Sequence, residues 1–134
     1  MTATRLAAGT RAPVEPARVS VTMITRDRRD TTLAALGQLL ALPEQPPITV
    51  IDNGSRDGTV EAVRAAWPTV EVVALTSNLG AAARTIGVPR SRSPYVAFSD
   101  DDSWWAPGAL ALAAATLDAH PELGLLAARV LVGP

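Results

Sequence analysis

The sequence predicts an α/β protein in which a mostly parallel sheet lies between two layers of helices, a three-layer α/β/α arrangement. Short β-prone runs alternate with segments of helical hydrophobic spacing along the 134 residues. At least one of these runs is short and continuously apolar, which is typical of parallel strands covered on both faces. Prolines and glycines separate the segments. This alternation predicts successive βαβ units with right-handed connections.

Five strands and four helices are expected. The strands cover residues 19–24, 48–51, 70–75, 95–99 and 123–132, each an apolar or β-branched run. The helices cover about 30–41, 59–67, 78–88 and 107–119. Asp30 is expected to cap the first helix, and Pro107 suits the first turn of the last. Because the chain stops just after the fifth run, we expect a sheet truncated after its fifth strand.

Length and composition restrict the class of protein. A chain of 134 residues with 48% hydrophobic residues forms one domain, and its net charge of −1 gives no reason to expect nucleic acid as a partner. The chain has no cysteine, which excludes disulfides and cysteine-ligated zinc. Its apolar runs are too short for a transmembrane segment. Residues 1–18, rich in arginine and proline, are expected to be a flexible N-terminal extension of a cytoplasmic protein.

Three consecutive aspartates, Asp100, Asp101 and Asp102, follow the fourth predicted strand directly. Two carboxylates about 5 Å apart repel by roughly 3 kcal/mol at an effective dielectric near 20, and a bound cation relieves that repulsion. In an extended segment, Asp100 and Asp102 would point to one side and Asp101 to the other. That spacing predicts two oxygen ligands for a hard divalent ion. The structural alternative is a solvated acidic turn before a helix capped by Ser103.

Polar residues also follow the first two predicted strands, as residues 25–28 (TRDR) and as Asp52 and Asn53. Ligands of open parallel sheets bind outside the carboxyl ends of the strands, so we expect these groups and the aspartates to share one crevice. Arginines there suit phosphate, and an acid and an amide suit a heterocycle or ribose. Each group alone is also explained as a turn, a cap or a solvated charge. Their joint placement after successive strands favours a site.

Together these segments resemble the family 2 glycosyltransferases of the GT-A fold. Residues 19–28 (VSVTMITRDR) are similar to the V-S-V-I-I-x-T-Y-N-R segment of that family, and residues 50–59 (VIDNGSRDGT) to V-V-D-[DN]-G-S-x-D-G-T. Asn78 and Gly80 match its N-x-G, and Arg84 with Gly87 matches its R-N-x-G. The strand that runs into residues 100–102 matches its D-D-D. The resemblance covers about residues 19–132 in the same order.

The resemblance implies a Rossmann-like GT-A domain that takes part in transferring a sugar from a nucleotide diphosphate donor to an acceptor hydroxyl. It implies Mg²⁺ or Mn²⁺ as cofactor and an inverting displacement. By position, it places Asp102, with Asp100, at the metal. It places seven residues around the nucleotide-sugar, namely Thr25, Arg26, Asp52, Asn53, Arg84, Asp100 and Asp101.

Three positions depart from the family pattern. Arg26 stands where Tyr is usual, Asn53 where a second Asp is frequent, and Thr85 where Asn is usual. The choice of base is therefore left open. The second half of such enzymes, which binds the acceptor and supplies a carboxylate general base, has no counterpart in this sequence. Residues 19–134 are thus expected to be an incomplete GT-A domain, with the acceptor unknown and no general base to assign.

Two other functions are weighed against sugar transfer. The first is a non-catalytic nucleotide-binding remnant or interaction module, which would self-associate through the open sheet edge at the C-terminal end. The second is a nucleotidyltransferase, which would be expected to carry a glycine-rich, basic triphosphate loop near the first strand. Residues 25–28 contain no glycine, so this function is disfavoured.

Overall fold

The computed structural model describes residues 17–132, which contain one four-stranded sheet. The strands are β1 (Val19–Thr25), β2 (Ile48–Asp52), β3 (Glu71–Ala74) and β4 (Tyr95–Asp100). They lie in the order β3-β2-β1-β4, and every neighbouring pair is parallel. The predicted α/β class with a parallel sheet is confirmed. The N-terminal extension predicted over residues 1–18 lies almost wholly outside the described residues.

Four helices connect and follow the strands. They are α1 (Arg29–Leu40), α2 (Thr59–Ala66), α3 (Arg84–Gly87) and α4 (Ala109–Ala119). The helix predicted over 78–88 is short because 3₁₀ turns at Gly80–Ala83 and Val88–Arg90 flank α3. Pro89 lies in the second of these turns and lacks the backbone N–H that a longer α-helix would require. No described helix is long and apolar enough to cross a membrane.

The two faces of the sheet are covered by different helices. Val21 and Met23 of β1 belong to one hydrophobic cluster with Leu36 of α1, Val63 of α2 and Leu110 of α4. The intervening residue of β1, Thr22, faces the other way because side chains alternate along a strand. An added Cβ on Gly87 of α3 would lie 2.3 Å from Thr22 Cγ2. The sheet therefore lies between α1, α2 and α4 on one face and α3 on the other, which is the expected three-layer arrangement.

The fifth strand predicted over 123–132 is wrong, because residues 121–132 form neither helix nor strand. The side chains of Leu125, Val130, Leu131 and Val132 are 73–91% exposed. An apolar run becomes a strand only where a neighbouring strand satisfies its backbone groups, and this segment pairs with neither β3 nor β4 at the two sheet edges. The sheet of the described residues thus ends at its fourth strand, β4.

The start of α1 also differs from the prediction, because Asp30 does not cap it. The helix begins at Arg29, whose backbone N–H donates to Asp57 Oδ2 at 3.0 Å. The other oxygen of Asp57 accepts from the backbone N–H and the hydroxyl of Thr59, the first residue of α2. One carboxylate therefore satisfies N–H groups at the start of two helices, which have no partner within their own helix.

Candidate functional site

A cleft of about 370 Å³ opens at the carboxyl edge of the sheet. The chain passes from β1 to β2 and β3 on one side, then returns to the other side of β1 for β4, so the strand order reverses between β1 and β4. Thr25 lies beside Asp52 in register, and Ile24 lies beside Asp100. The predicted gathering of three strand ends at one edge is therefore present. This reversal point is where open α/β sheets bind ligands.

Another concavity, of about 300 Å³, lies at the opposite edge near the amino end of β2. Apolar residues and prolines such as Leu40, Pro46, Pro47 and Val70 form much of its wall, and its lining contains no ionisable side chain. The cleft at the carboxyl edge is instead lined by arginines, an asparagine and the three aspartates. It is therefore the candidate site.

Asp101 forms the buried floor of the cleft, and β1 fixes its position. Its side chain is 10% exposed, and its Oδ2 accepts a hydrogen bond from Thr25 Oγ1 at 2.9 Å. The Thr25 hydroxyl also lies 2.7 Å from that of Thr32 in α1. Burial of a carboxylate is tolerated only where it is hydrogen-bonded or paired. The hydrogen bond from Thr25 and a further one from Arg28 meet that condition for Asp101.

Arg28 joins the second and third aspartates. Its Nη1 donates to Asp101 Oδ1 at 3.1 Å and to Asp102 Oδ2 at 3.0 Å. The hydrogen bond to Asp102 and the charge of Asp101 raise the pKa of the Arg28 guanidinium above its ordinary value. Asp102 itself is 56% exposed at the mouth of the cleft.

Arg84 pairs with the first aspartate. Its Nη2 donates to Asp100 Oδ1, so that α3 is joined to the end of β4 beside the cleft. The expected alternation of the aspartates does not extend past Asp100, because β4 ends there and Asp101 and Asp102 form a turn. Asp102 consequently shares a guanidinium with Asp101 rather than with Asp100.

Asp52 and Asn53, at the end of β2, shape the loops beside the cleft. Asp52 is buried, and its carboxylate accepts hydrogen bonds from the backbone N–H groups of Gly54 and Ser55 and from the Ser55 hydroxyl. Asn53 lines the cleft, with its amide donating to the Gly80 carbonyl at 3.2 Å and accepting from the Leu79 N–H at 3.1 Å. Asn53 is thus positioned to meet a ligand, whereas Asp52 lies beneath the loop.

Arg26 also lines the cleft, and its neighbour Asp27 fixes the loop that carries it. The backbone N–H of Asp27 donates to Ser55 Oγ at 2.8 Å, and the Arg56 N–H donates to Asp27 Oδ1 at 2.7 Å. Asp27 and Ser55 therefore join the loops after β1 and β2 by hydrogen bonds. The sequence did not predict this connection, because it depends on contacts between residues 28 or 29 positions apart. Its one local signal is an aspartate between two arginines.

Comparison with known proteins identifies the family. The profile described as Glycosyl transferase family 2 matches residues 20–134. The chain belongs to glycosyl transferase family 2. The resemblance drawn from the strand-end motifs is thereby confirmed. As a family 2 domain, the chain is 34% identical over 99 residues to the succinoglycan biosynthesis protein ExoU of Rhizobium meliloti (strain 1021), a match that covers 71% of this chain.

Solved structures similar to this family 2 domain include GT-A glycosyltransferases, which confirms the predicted GT-A fold. The mannosyltransferase PcManGT from Pyrobaculum calidifontis, solved with GDP-Man and Mn²⁺, has a TM-score of 0.61 and 25% identity over 75% of this chain. S. aureus TarS 1–349, solved with UDP, has a TM-score of 0.61 and 23% identity over 78% of the chain, and shows likeness of fold alone. The matches span 29% of ExoU, 32% of PcManGT and 33% of TarS 1–349.

Proposed function

We propose that this family 2 domain binds the nucleotide diphosphate donor of a sugar-transfer reaction, with a divalent cation, and that the sugar passes to an acceptor hydroxyl. The single observation that carries the proposal is the cleft at the reversal of strand order, where three arginines and three aspartates meet. Thr25, Arg26 and Asn53 line it on the side of β1 and β2, where they suit a base and ribose. Asp52 supports that side through the loop that it shapes.

The groups present supply part of the ligand set of a divalent cation, and the donor phosphates would supply the rest. Among residues 17–132, no three side chains of the types that ligate metals converge as a ready-made site. Asp100 and Asp102 are 59% and 56% exposed and offer oxygen ligands. Mg²⁺ is usually held by one or two carboxylates together with phosphate oxygens and water. Either Mg²⁺ or Mn²⁺ suits this oxygen-only set, and the structural relative PcManGT was solved with Mn²⁺ and GDP-Man.

The chemistry explains why acids and arginines are placed together. Cleavage of the glycosyl–phosphate bond develops negative charge on the diphosphate leaving group, which a bound cation neutralises. Arg84 and Arg28 supply guanidinium groups that suit phosphate oxygens in a planar, bidentate geometry. We assign no general base, because the cleft aspartates are each held by arginine or threonine. An inverting displacement would take its base from outside the described residues.

Calorimetric titration of the full 134-residue chain with UDP and GDP, with and without Mn²⁺, tests the proposal. We expect binding that depends on Mn²⁺, and Asp102→Asn should weaken it about tenfold or more, which corresponds to about 1.4 kcal/mol. Asp30→Asn, the same change at an exposed aspartate of α1, should leave it unaltered. Absence of binding, or equal binding in both variants, would refute the proposal.

A second candidate, a non-catalytic nucleotide-binding or interaction module, is favoured by exposed apolar residues. Phe98 on the edge strand β4 is 46% exposed, and Leu125 and Val132 are more exposed still. An open edge beside apolar side chains favours pairing with a second copy of the chain. This candidate predicts self-association and donor binding without turnover, so sugar transfer by the purified chain would reject it. The cytoplasmic location expected from the sequence stays a prediction.

A further inference from the structure

Arg28 holds two cleft aspartates with a single nitrogen and keeps its other donors unused. Nη1 makes both contacts, to Asp101 at 3.1 Å and to Asp102 at 3.0 Å. Nε and Nη2 donate to no acceptor within residues 17–132. The side chain is 54% exposed and lines the cleft. Since a guanidinium has five N–H donors in a planar fork, Arg28 can bind a ligand that enters the cleft.

The two aspartates would respond differently to the departure of Arg28. Asp101 would keep the hydrogen bond from Thr25 Oγ1 at 2.9 Å and remain on the buried floor. For Asp102, which is 56% exposed, Arg28 is the one hydrogen-bond partner of the carboxylate in the described part of the chain. Displacement of the guanidinium therefore releases Asp102 and leaves Asp101 in place.

A cation and Arg28 compete for Asp102, because both are positive and Nη1 already lies against Oδ2. A diphosphate attracts the same guanidinium. We propose that Arg28 exchanges Asp102 for a donor phosphate, so that the nucleotide diphosphate and the divalent cation each promote binding of the other. This inference rests on the proposed function and adds to it a residue that couples the two ligands.

The coupling is reciprocal. If the nucleotide frees Asp102 by drawing Arg28 away, it raises the affinity for the cation by some factor, and the cation must raise the affinity for the nucleotide by the same factor. Couplings of this kind are typically about 5–150-fold. Arg84 and Asp100 form another ion pair beside the cleft and would still be present without Arg28.

The test measures Mn²⁺ binding by electron paramagnetic resonance and UDP or GDP binding by calorimetry, each alone and at saturation with the other. The variants are Arg28→Gln and, as matched control, Arg29→Gln. Arg29 is the next residue, is 49% exposed and pairs with Asp30. Its substitution removes one positive charge, as Arg28→Gln does, but at a position that does not line the cleft. Circular dichroism checks that both variants fold.

We expect Arg28→Gln to bind Mn²⁺ alone about fivefold or more tighter than the wild type, and the nucleotide alone about fivefold or more weaker. The coupling factor should fall about fivefold or more below that of the wild type, and what remains reflects the direct contact of phosphate oxygens with the cation. Arg29→Gln should retain wild-type values. Unchanged or weaker Mn²⁺ binding in Arg28→Gln would overturn the exchange and leave Arg28 as a clamp for the acids. A wild type that binds Mn²⁺ but neither nucleotide would refute both the proposed function and the coupling. In that case, Mn²⁺ binding by Arg28→Gln compared with the wild type would still show whether Arg28 competes with the cation for Asp102.

Discussion

Asp27 shows how one residue organises the arginines beside the cleft. Its φ of 48° lies in the left-handed region, which costs most non-glycine residues roughly 1–2 kcal/mol but which Asp and Asn adopt readily. Its carboxylate accepts the Arg56 N–H at 2.7 Å and lies 3.5 Å from Arg26 Nε. The bend of the chain at Asp27 lies between Arg26 and Arg28, its two neighbours, both of which line the cleft.

We expect Asp27→Ala to weaken Mn²⁺-dependent UDP or GDP binding about tenfold, because alanine disfavours the left-handed turn and cannot accept the Arg56 N–H. Asp27→Asn keeps both the turn preference and a side-chain acceptor, so its affinity should stay within about twofold of the wild type. Calorimetry on the two folded variants measures the difference. Equal affinities for Asp27→Ala and Asp27→Asn would show that the turn does not position the arginines.

At the scale of elements, the close approach of α3 to β1 sets the separation between Arg84 and the aspartates. A Cβ on Gly87 would lie 2.3 Å from Thr22 Cγ2 and 2.5 Å from its Oγ1. Thr22 is 1% exposed and β-branched, so it has little freedom to move away. Arg84 begins the same short helix, and a displaced helix would therefore shift its contact with Asp100.

Gly87→Ala should lower the free energy of unfolding by up to about 2 kcal/mol. Overpacking a tight interface usually costs about 1–3 kcal/mol, and the roughly 1 kcal/mol by which alanine is favoured over glycine inside a helix offsets part of that cost. Gly124→Ala is the control, because an added Cβ there meets no atom within 4 Å. Urea unfolding monitored by circular dichroism measures both. A Gly87→Ala variant as stable as Gly124→Ala would contradict the close packing.

Sequence patterns predicted the elements whose signals are local. The four strands were predicted to within a residue or two at each end, because each is a short β-prone run that ends at a turn signal. The segment 123–132 carries the same signal but lacks a pairing neighbour, which no local pattern reveals. The bounds of α1 and α2 were predicted to within a residue, but the group that caps α1 was not, because Asp57 comes from a loop that follows β2.

The gathering of these residues at one edge was predictable from the sequence. Thr25, Arg26, Asn53 and the three aspartates follow three strand ends and line one cleft, whereas their binding roles stay a prediction. Their pairing was not predictable, because Arg28 reaches residues 73 and 74 positions away. Side-chain contacts of this kind depend on the three-dimensional approach of β1 and β4, which the sequence does not encode locally.

At the scale of the whole molecule, two exposed carboxylates connect distant parts of the chain. Asp57 links the starts of α1 and α2. The hydrogen bond from the Thr59 hydroxyl is the main cause of the lowered pKa of the Asp57 carboxyl. Asp118, in the last turn of α4, accepts from the Tyr95 hydroxyl at 2.7 Å and from Arg18 Nη2 at 2.7 Å and 2.8 Å. Those two partners, Tyr95 first, lower the pKa of Asp118 and tie α4 to the start of β4 and the residue before β1.

These lowered pKa values predict that the protein loses stability in acid. A carboxyl whose pKa is lower in the folded state binds its proton more weakly there, so its contribution is fully present above the ordinary value of 3.8 and is lost as the pH falls through the lowered value. The free energy of unfolding should therefore fall as the pH drops below about 4. The double variant Asp57→Asn/Asp118→Asn should be less stable than the wild type at pH 7. Its free energy of unfolding should fall less steeply as the pH drops below about 4. Urea unfolding across the pH range measures this. Asp30→Asn is the control and should run parallel to the wild type, because Asp30 is exposed and, within residues 17–132, pairs only with neighbouring Arg29. A double variant that declines as steeply as the wild type would show that these two carboxylates do not govern the acid response.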